Sequence, residues 1–371
     1  MFNSKFSARQ LFFAICCYTL SASILTGFLF SILGSETWMA YTAGMILSIP
    51  VLCLYVYLAK QHPNKNLFQI NRSVFGPVLG FIISALYLWF FMTLSALTLT
   101  HVARLINLTL LPETPMSFTK LILVLVAAWS VKYGPESVTR YGAAVVYTSI
   151  LINVAGIVFT FNRLSISHFL PLFDAPPANY IQGIHTTMTI PYGETVIFLM
   201  LMPAVNEQRK LAKSFIFGFI AGALLLILNV LHDVATLGCL TGWFVMPSLE
   251  SFRLLSGSQS IGRIDILFAT GLVMQIFFRL SIVLYASTLG LAQLLNLENY
   301  NTLPFILGVF LVIYSSSVVT DVIQHLGTAS SFVPWLWSFF QHFLPAMTAV
   351  VYLIQKAIKK KKGIQLGVMQ T

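Results

Sequence analysis

Charge is what this sequence has least of. Only 9% of its 371 residues are Asp, Glu, Lys or Arg, and only 11 of those are acidic. A soluble globular chain carries roughly 25% charged residues, so this one cannot clothe a water-facing surface. Cysteine is scarce too. Cys16, Cys17, Cys53 and Cys239 show no metal-ligand spacing, which argues against a zinc site or a disulfide framework. Long polar stretches are missing, which leaves no room for a separate soluble catalytic domain. The phosphate loop G-x-x-x-x-G-K-[ST], the metal pair H-E-x-x-H and the nucleophile elbow G-x-S-x-G are all absent. We therefore expect no enzyme, no catalytic residue, no metal and no cofactor. The net charge of +10 does not point to nucleic acid, because Lys356 and Lys359 to Lys362 cluster directly behind the last apolar run. Such a basic cluster anchors a membrane chain against anionic headgroups.

What is present is apolar sequence, 57% of the chain. A helix needs about 20 apolar residues to cross the hydrocarbon core. Apolar runs fall near 10–33, 38–59, 77–103, 116–133, 141–161, 185–203, 214–238, 264–292, 302–320 and 333–355. The expectation is one polytopic all-α membrane domain over 1–371, with ten transmembrane helices and a basic tail at 356–371. The first run is too long for a signal-peptide core and is retained. In the fourth, Lys120 and Lys132 bracket the apolar stretch and are expected to snorkel to opposite interfaces. Alternate loops share the basic residues fifteen to five, with Arg279 left inside a helix. The positive-inside rule then puts both termini in the cytoplasm.

Two outer loops, 162–184 and 239–263, are long. The first is stiffened by Pro171, Pro176 and Pro177; the second holds an amphipathic stretch from Ser248 to Leu255, expected to lie along the outer face. Glu136 and Arg140 have the i,i+4 spacing of a helix-surface pair. Gly218 and Gly222 form a G-x-x-x-G spacing, read as helix packing.

Ten helices invite a test for five-plus-five inverted symmetry, in which the first and sixth helices are both broken near the midplane. The sixth run contains Pro191-Tyr192-Gly193-Glu194. Proline removes a backbone donor and glycine tolerates left-handed dihedrals, so Pro191 and Gly193 mark a candidate break. The first run is small and hydroxyl-rich at Ser21, Ser23, Thr26 and Gly27. Proline and glycine are also simply common in membrane helices, so both readings stand. Glu194 and Arg279 lie mid-helix, where each costs about 2.5–3.5 kcal/mol if it faces lipid. They line a cavity, or they pair as a packing device. Candidate ligand-binding residues are Ser23, Thr26, Gly27, Tyr192, Gly193, Glu194, Arg279 and Tyr285. His101, His232 and Asp233, toward the outer helix ends, read as headgroup-level polar groups, with vestibule residues as the alternative.

Several pieces, in order, resemble the spore germination permease family, the B subunits of nutrient germinant receptors. They are Phe6-Ser7-Ala8-Arg9-Gln10, then Gly134-x-Glu136-x-x-x-Arg140, then Phe169-Leu170-Pro171-Leu172-Phe173 and Pro191-Tyr192-Gly193-Glu194. Pro247-Ser248-Leu249-Glu250 with Arg253, and Phe278-Arg279 with Tyr285, Leu289, Gly290 and Gln293, complete the set. That family is similar in turn to amino-acid permeases of the LeuT-like superfamily. The resemblance implies a LeuT-like (APC) fold and a small germinant such as an amino acid bound in a transporter-like pocket. It also implies a receptor A subunit and a C lipoprotein subunit as partners, in the spore inner membrane. A secondary transporter of amino acids or related solutes, and a non-binding scaffold for partner subunits, are the competing readings.

Overall fold

The computed structural model describes residues 5–256, 264–298, 301–318 and 322–361. Arg263, the end of the ninth run at 319–320 and the tail beyond Lys361 lie outside them. Among the described residues every regular element is helical, apart from one isolated bridge between Phe6 and Val205.

The first run is two helices. α1 (Ala8–Leu20) opens on a capping box, in which Gln10 N–H donates to Ser7 Oγ and Ser7 N–H to Gln10 Oε1, so two orphan donors are met reciprocally. A 3₁₀ stretch, Ser21–Leu25, follows, and α2 (Thr26–Leu33) completes the run. At the junctions Ser21 Oγ donates to the Tyr18 carbonyl at 2.6 Å and Thr26 Oγ1 to the Ser23 carbonyl at 3.1 Å. Hydroxyls that bond the backbone this way compete with the helical ladder. α3 (Thr37–Gln61) comes next, then α4 (Leu67–Thr109), which turns a corner at Gly76. Gly76 has φ +80°, a left-handed value that favours glycine. The corner folds 67–75 back on the following turns, so that a Cβ on Gly80 would sit 2.6 Å from Arg72 Cα.

α5 (Met116–Lys132), α6 (Pro135–Arg140) and α7 (Gly142–Thr160) lead to the first long outer loop. α8 (Pro177–Thr187) starts eight residues before the expected 185, because Pro177 supplies a pre-set φ for the first helical position. It runs into a π turn, Met188–Tyr192, and a 3₁₀ stretch, Gly193–Met200. The rest is α9 (Leu211–Leu237), α10 (Pro247–Ser256), α11 (Ile264–Leu294), α12 (Leu303–Val318), α13 (Val322–Ser338) and α14 (Leu344–Lys361).

Among the described residues, six helical stretches are long and apolar enough to cross a bilayer: 8–61, 67–109, 135–163, 211–243, 265–294 and 331–360. The first of these is interrupted at Gly34, φ +52°. Large apolar side chains such as Val78, Leu151, Val158 and Ile313 stand on the outside of the bundle, where lipid and not water can cover them. The chain is a multi-pass membrane protein.

Inside, α1 packs along α9 and α4 along α11. The α9 contact is backbone on backbone. A Cβ on Gly218 would lie 2.6 Å from the Phe12 carbonyl oxygen, and one on Gly222 2.6 Å from that of Cys16, which is the packing role expected of the G-x-x-x-G spacing.

Three polar expectations change. Lys120 does not snorkel; it is buried, and Nζ donates to Ser315 Oγ at 3.0 Å between α5 and α12. Glu136 and Arg140 share α6, but no ion pair closes between them. Asp233 does not face headgroups. It is fully buried and accepts from Ser248 Oγ and, at 2.9 Å, from Ser251 Oγ. These bonds pin α10, whose Phe252 stacks on Phe268 at 3.9 Å.

The other long loop is pinned by Glu36, in the turn between the first two runs. It accepts from the N–H groups of Asp174 and Ala175, each at 3.2 Å, and from Tyr180 OH. Burial pushes the Glu36 carboxyl up, but these bonds together outweigh it and hold its pKa below the ordinary 4.5. A depressed carboxyl stabilises the fold above its ordinary pKa and loses that contribution as pH falls through the folded value.

Gly222→Leu tests the α1–α9 contact. Overpacking a backbone contact costs about 1–3 kcal/mol, so the variant should melt at lower temperature in detergent than Leu224→Ala, an exposed position on the same helix. Equal melting of the two would refute the contact.

Candidate ligand cavity

The sixth run breaks where its sequence loses the means to continue. Pro191 offers no N–H, and the residue before a proline is pushed out of the α region. Ile190 accordingly stands at φ −123°, ψ 103°. Both broken stretches are buried, Ser21 to Ile24 in the first run and Thr189 to Met200 in the sixth, as irregular backbone at membrane depth must be.

A cavity of about 60 Å³ opens beside the two breaks, enough for a few waters on a scale where one needs about 10–15 Å³. Its first-run wall is Ile24, Leu25, Gly27 and Phe28; α4 supplies Leu94, Leu97, Thr98, His101 and Arg104. Ile190 and Glu194 come from the sixth run, Arg279 from α11, and Val333 and Trp337 from α13. Val245 and Met246, from the second outer loop, close it over α2. The lid fits because residue 27 is glycine: a Cβ there would be 2.3 Å from the Val245 carbonyl oxygen.

Arg279 and Glu194 meet in the cavity wall, where Arg279 Nη2 donates to Glu194 Oε2. Both side chains are buried. The guanidinium also lies 4.7 Å from the centre of the Tyr18 ring, a cation–π distance. One ion pair thus joins the broken sixth run, α11 and α1.

Of the residues read from sequence as ligand-binding, Gly27, Glu194 and Arg279 line this cavity. The others are buried but do not line it. Ser23 Oγ has no protein partner, and Thr26 turns its hydroxyl to the backbone. Tyr192 OH donates to the Tyr41 carbonyl at 3.1 Å. Gly193 makes room for Gln341, whose Oε1 would lie 2.3 Å from a Cβ at that position. Tyr285 is buried in α11. His101, read as a headgroup-level group, lines the cavity instead. Arg104, Tyr18, Gln341 and Trp337 were not singled out by sequence; the only signal was the place of Arg104 and His101 one helical turn apart on α4.

Residues 5–321 match the model of the spore germination protein family. The chain belongs to that family. Spore germination protein KB of Bacillus subtilis (strain 168) is 24% identical over 368 residues, covering 97% of this chain and 98% of that protein. Spore germination protein YndE of the same strain is 20% identical, covering 88% and 93%. Among solved structures, the chain is similar to a nucleobase-cation-symport-1 family transporter in a closed conformation with bromovinylhydantoin bound. The TM-score is 0.59 at 13% identity, over 89% of this chain and 80% of that one. It is also similar to a manganese transporter mutant of Eremococcus coleocola, with TM-score 0.58, 15% identity and coverage of 93% and 76%. These likenesses show that the chain shares the fold of these transporters.

The ion pair can be tested by its asymmetry. Removing one partner of a buried pair costs about 3–5 kcal/mol, whereas exchanging both for apolar groups is often neutral. Glu194→Met and Arg279→Met should each lower the melting temperature sharply in detergent, and the double variant should recover most of the loss. Additive losses would show that the two charges act independently.

Proposed function

We propose that this protein is the B subunit of a spore nutrient germinant receptor. It binds a small germinant in the cavity between the two broken runs and passes the change to an A subunit and a C lipoprotein subunit. The observation that carries the reading is family membership over residues 5–321, supported by near full-length similarity to spore germination protein KB. In this reading the chain crosses the spore inner membrane ten times as a five-plus-five inverted repeat, with both termini in the cytoplasm. The germinant, an amino acid or a related solute, contacts Gly27, Glu194 and Arg279. Ser23, Thr26, Tyr192, Gly193 and Tyr285 form the buried layer behind them. A ligand that binds the open and closed arrangements unequally shifts the balance between them, and the breaks are where backbone can move without unravelling whole helices.

Secondary transport of a small solute is the second reading. The likeness of the fold to solute transporters favours it.

Deletion of the gene separates the two. Purified spores lacking this subunit should fail to germinate in response to at least one single nutrient, while their response to others is unchanged. Vesicles carrying the protein should show no uptake of that nutrient. A full germination response to every nutrient, with solute uptake by the vesicles, would establish the carrier in place of the receptor.

A further inference from the structure

The charges that line the cavity do not balance. Two guanidinium groups face it, Arg104 and Arg279, and one carboxylate, Glu194. Glu194 is already committed to Arg279 Nη2. Arg279 Nη1 is buried with no hydrogen-bond partner. Arg104, half-buried on α4, makes no hydrogen bond or ion pair with any described residue. A second buried cation, Lys120 on α5, interacts electrostatically with Arg104 and donates to the Ser315 hydroxyl. Most of the remaining wall is apolar, Ile24, Phe28, Leu94, Leu97, Val333 and Trp337 among it. Among the described lining residues Glu194 is the one carboxylate.

We propose that the cavity selects a small organic acid of net negative charge, a dicarboxylate or an acidic amino acid. Its carboxylate oxygens accept from Arg104 at the mouth and from Arg279 Nη1 in the interior. The inference rests on the reading of this cavity as the germinant site. The physical reason is that an uncompensated buried charge is expensive and an arriving carboxylate relieves it. Arginine meets a carboxylate through a planar fork with two parallel donors, a geometry an amide oxygen cannot fill. A cationic solute finds the Glu194 carboxylate already paired and two like charges facing it. A neutral solute leaves Arg279 Nη1 no better served than a water would.

The test uses the full chain, purified in lipid nanodiscs, with binding read by calorimetry at millimolar ligand. The probes are L-glutamate and succinate, against L-glutamine and succinamide, which have the same shapes and lack the charge. The acids should bind about ten-fold or more tightly than the amides, as expected for charge-assisted against neutral hydrogen bonds. Arg104→Gln should erase that preference and Arg104→Lys should restore part of it, with melting of the unliganded protein unchanged in both. Equal binding of acids and amides would overturn the proposal. So would failure of every acid to bind, or acid binding that survives Arg104→Gln. The receptor reading is scored separately by germination of the deletion strain. Acid-selective binding without a germination defect sinks the receptor alone; a defect with neutral-selective binding sinks only the charge preference.

Discussion

A carboxylate and a guanidinium held in hydrocarbon each need a partner, and here Glu194 and Arg279 are each other's. The rest of the interior is arranged around that need. Glu194 sits in the first turn after Gly193, on backbone that has just left the α-helix, and Arg279 is fixed midway along α11. The Tyr18 ring beneath the guanidinium brings α1 into the same contact. Three elements remote in sequence are thus tied at one point. A slip of any of them would strand a charge at a cost of several kcal/mol. The pair therefore fixes where the irregular backbone lies, and it does so in the wall of a cavity rather than in a sealed core.

The same rule, that acids near the membrane must be met by hydroxyls or N–H groups, shapes the two long loops. Asp233 holds Ser248 and Ser251 of α10, and Glu36 holds Tyr180 and the backbone at 174–175. The first clamp lies directly after Val245 and Met246, the residues that close the cavity over Gly27. The lid is therefore positioned from behind by Asp233 and admitted from below by the missing side chain of residue 27. A single buried acid on α9 thus governs how closely a loop some fifteen residues further on can approach α2.

What could be read in the sequence was whatever a single segment declares by itself. Apolar runs need no partner to be recognised, although α4 and α8 begin well before theirs. Pro191 and Gly193 announce a break because proline cannot donate whatever surrounds it. The first-run break was legible only as a cluster of hydroxyls, whose effect depends on Ser21 and Thr26 turning back to their own backbone. The misreadings involve partners far away in sequence. Lys120 looked like an interfacial residue because Ser315, 195 positions later, is invisible from its neighbourhood. Asp233 looked exposed because α10 had not yet been folded over it. Arg104 was counted as a loop charge and its neighbour His101 as a headgroup group, and only the crossing of α4 past both breaks makes them cavity residues.

The distribution of unmet polar groups carries the argument one step further. Tyr18 OH, Thr19 Oγ1, Ser23 Oγ, Arg279 Nη1 and both polar atoms of the Gln341 side chain are buried without a protein partner. These six atoms lie on and around the two breaks, while others, such as both polar atoms of the Asn71 side chain and Thr119 Oγ1, lie elsewhere. A buried donor or acceptor left unpaired costs about 1–3 kcal/mol, so a bundle that served only as a scaffold would gain by replacing them with apolar side chains of similar size. Keeping them there makes sense if a second arrangement of the same helices, or a bound solute, supplies the missing partners. The polar groups that weaken this arrangement are then the ones through which a ligand can favour another.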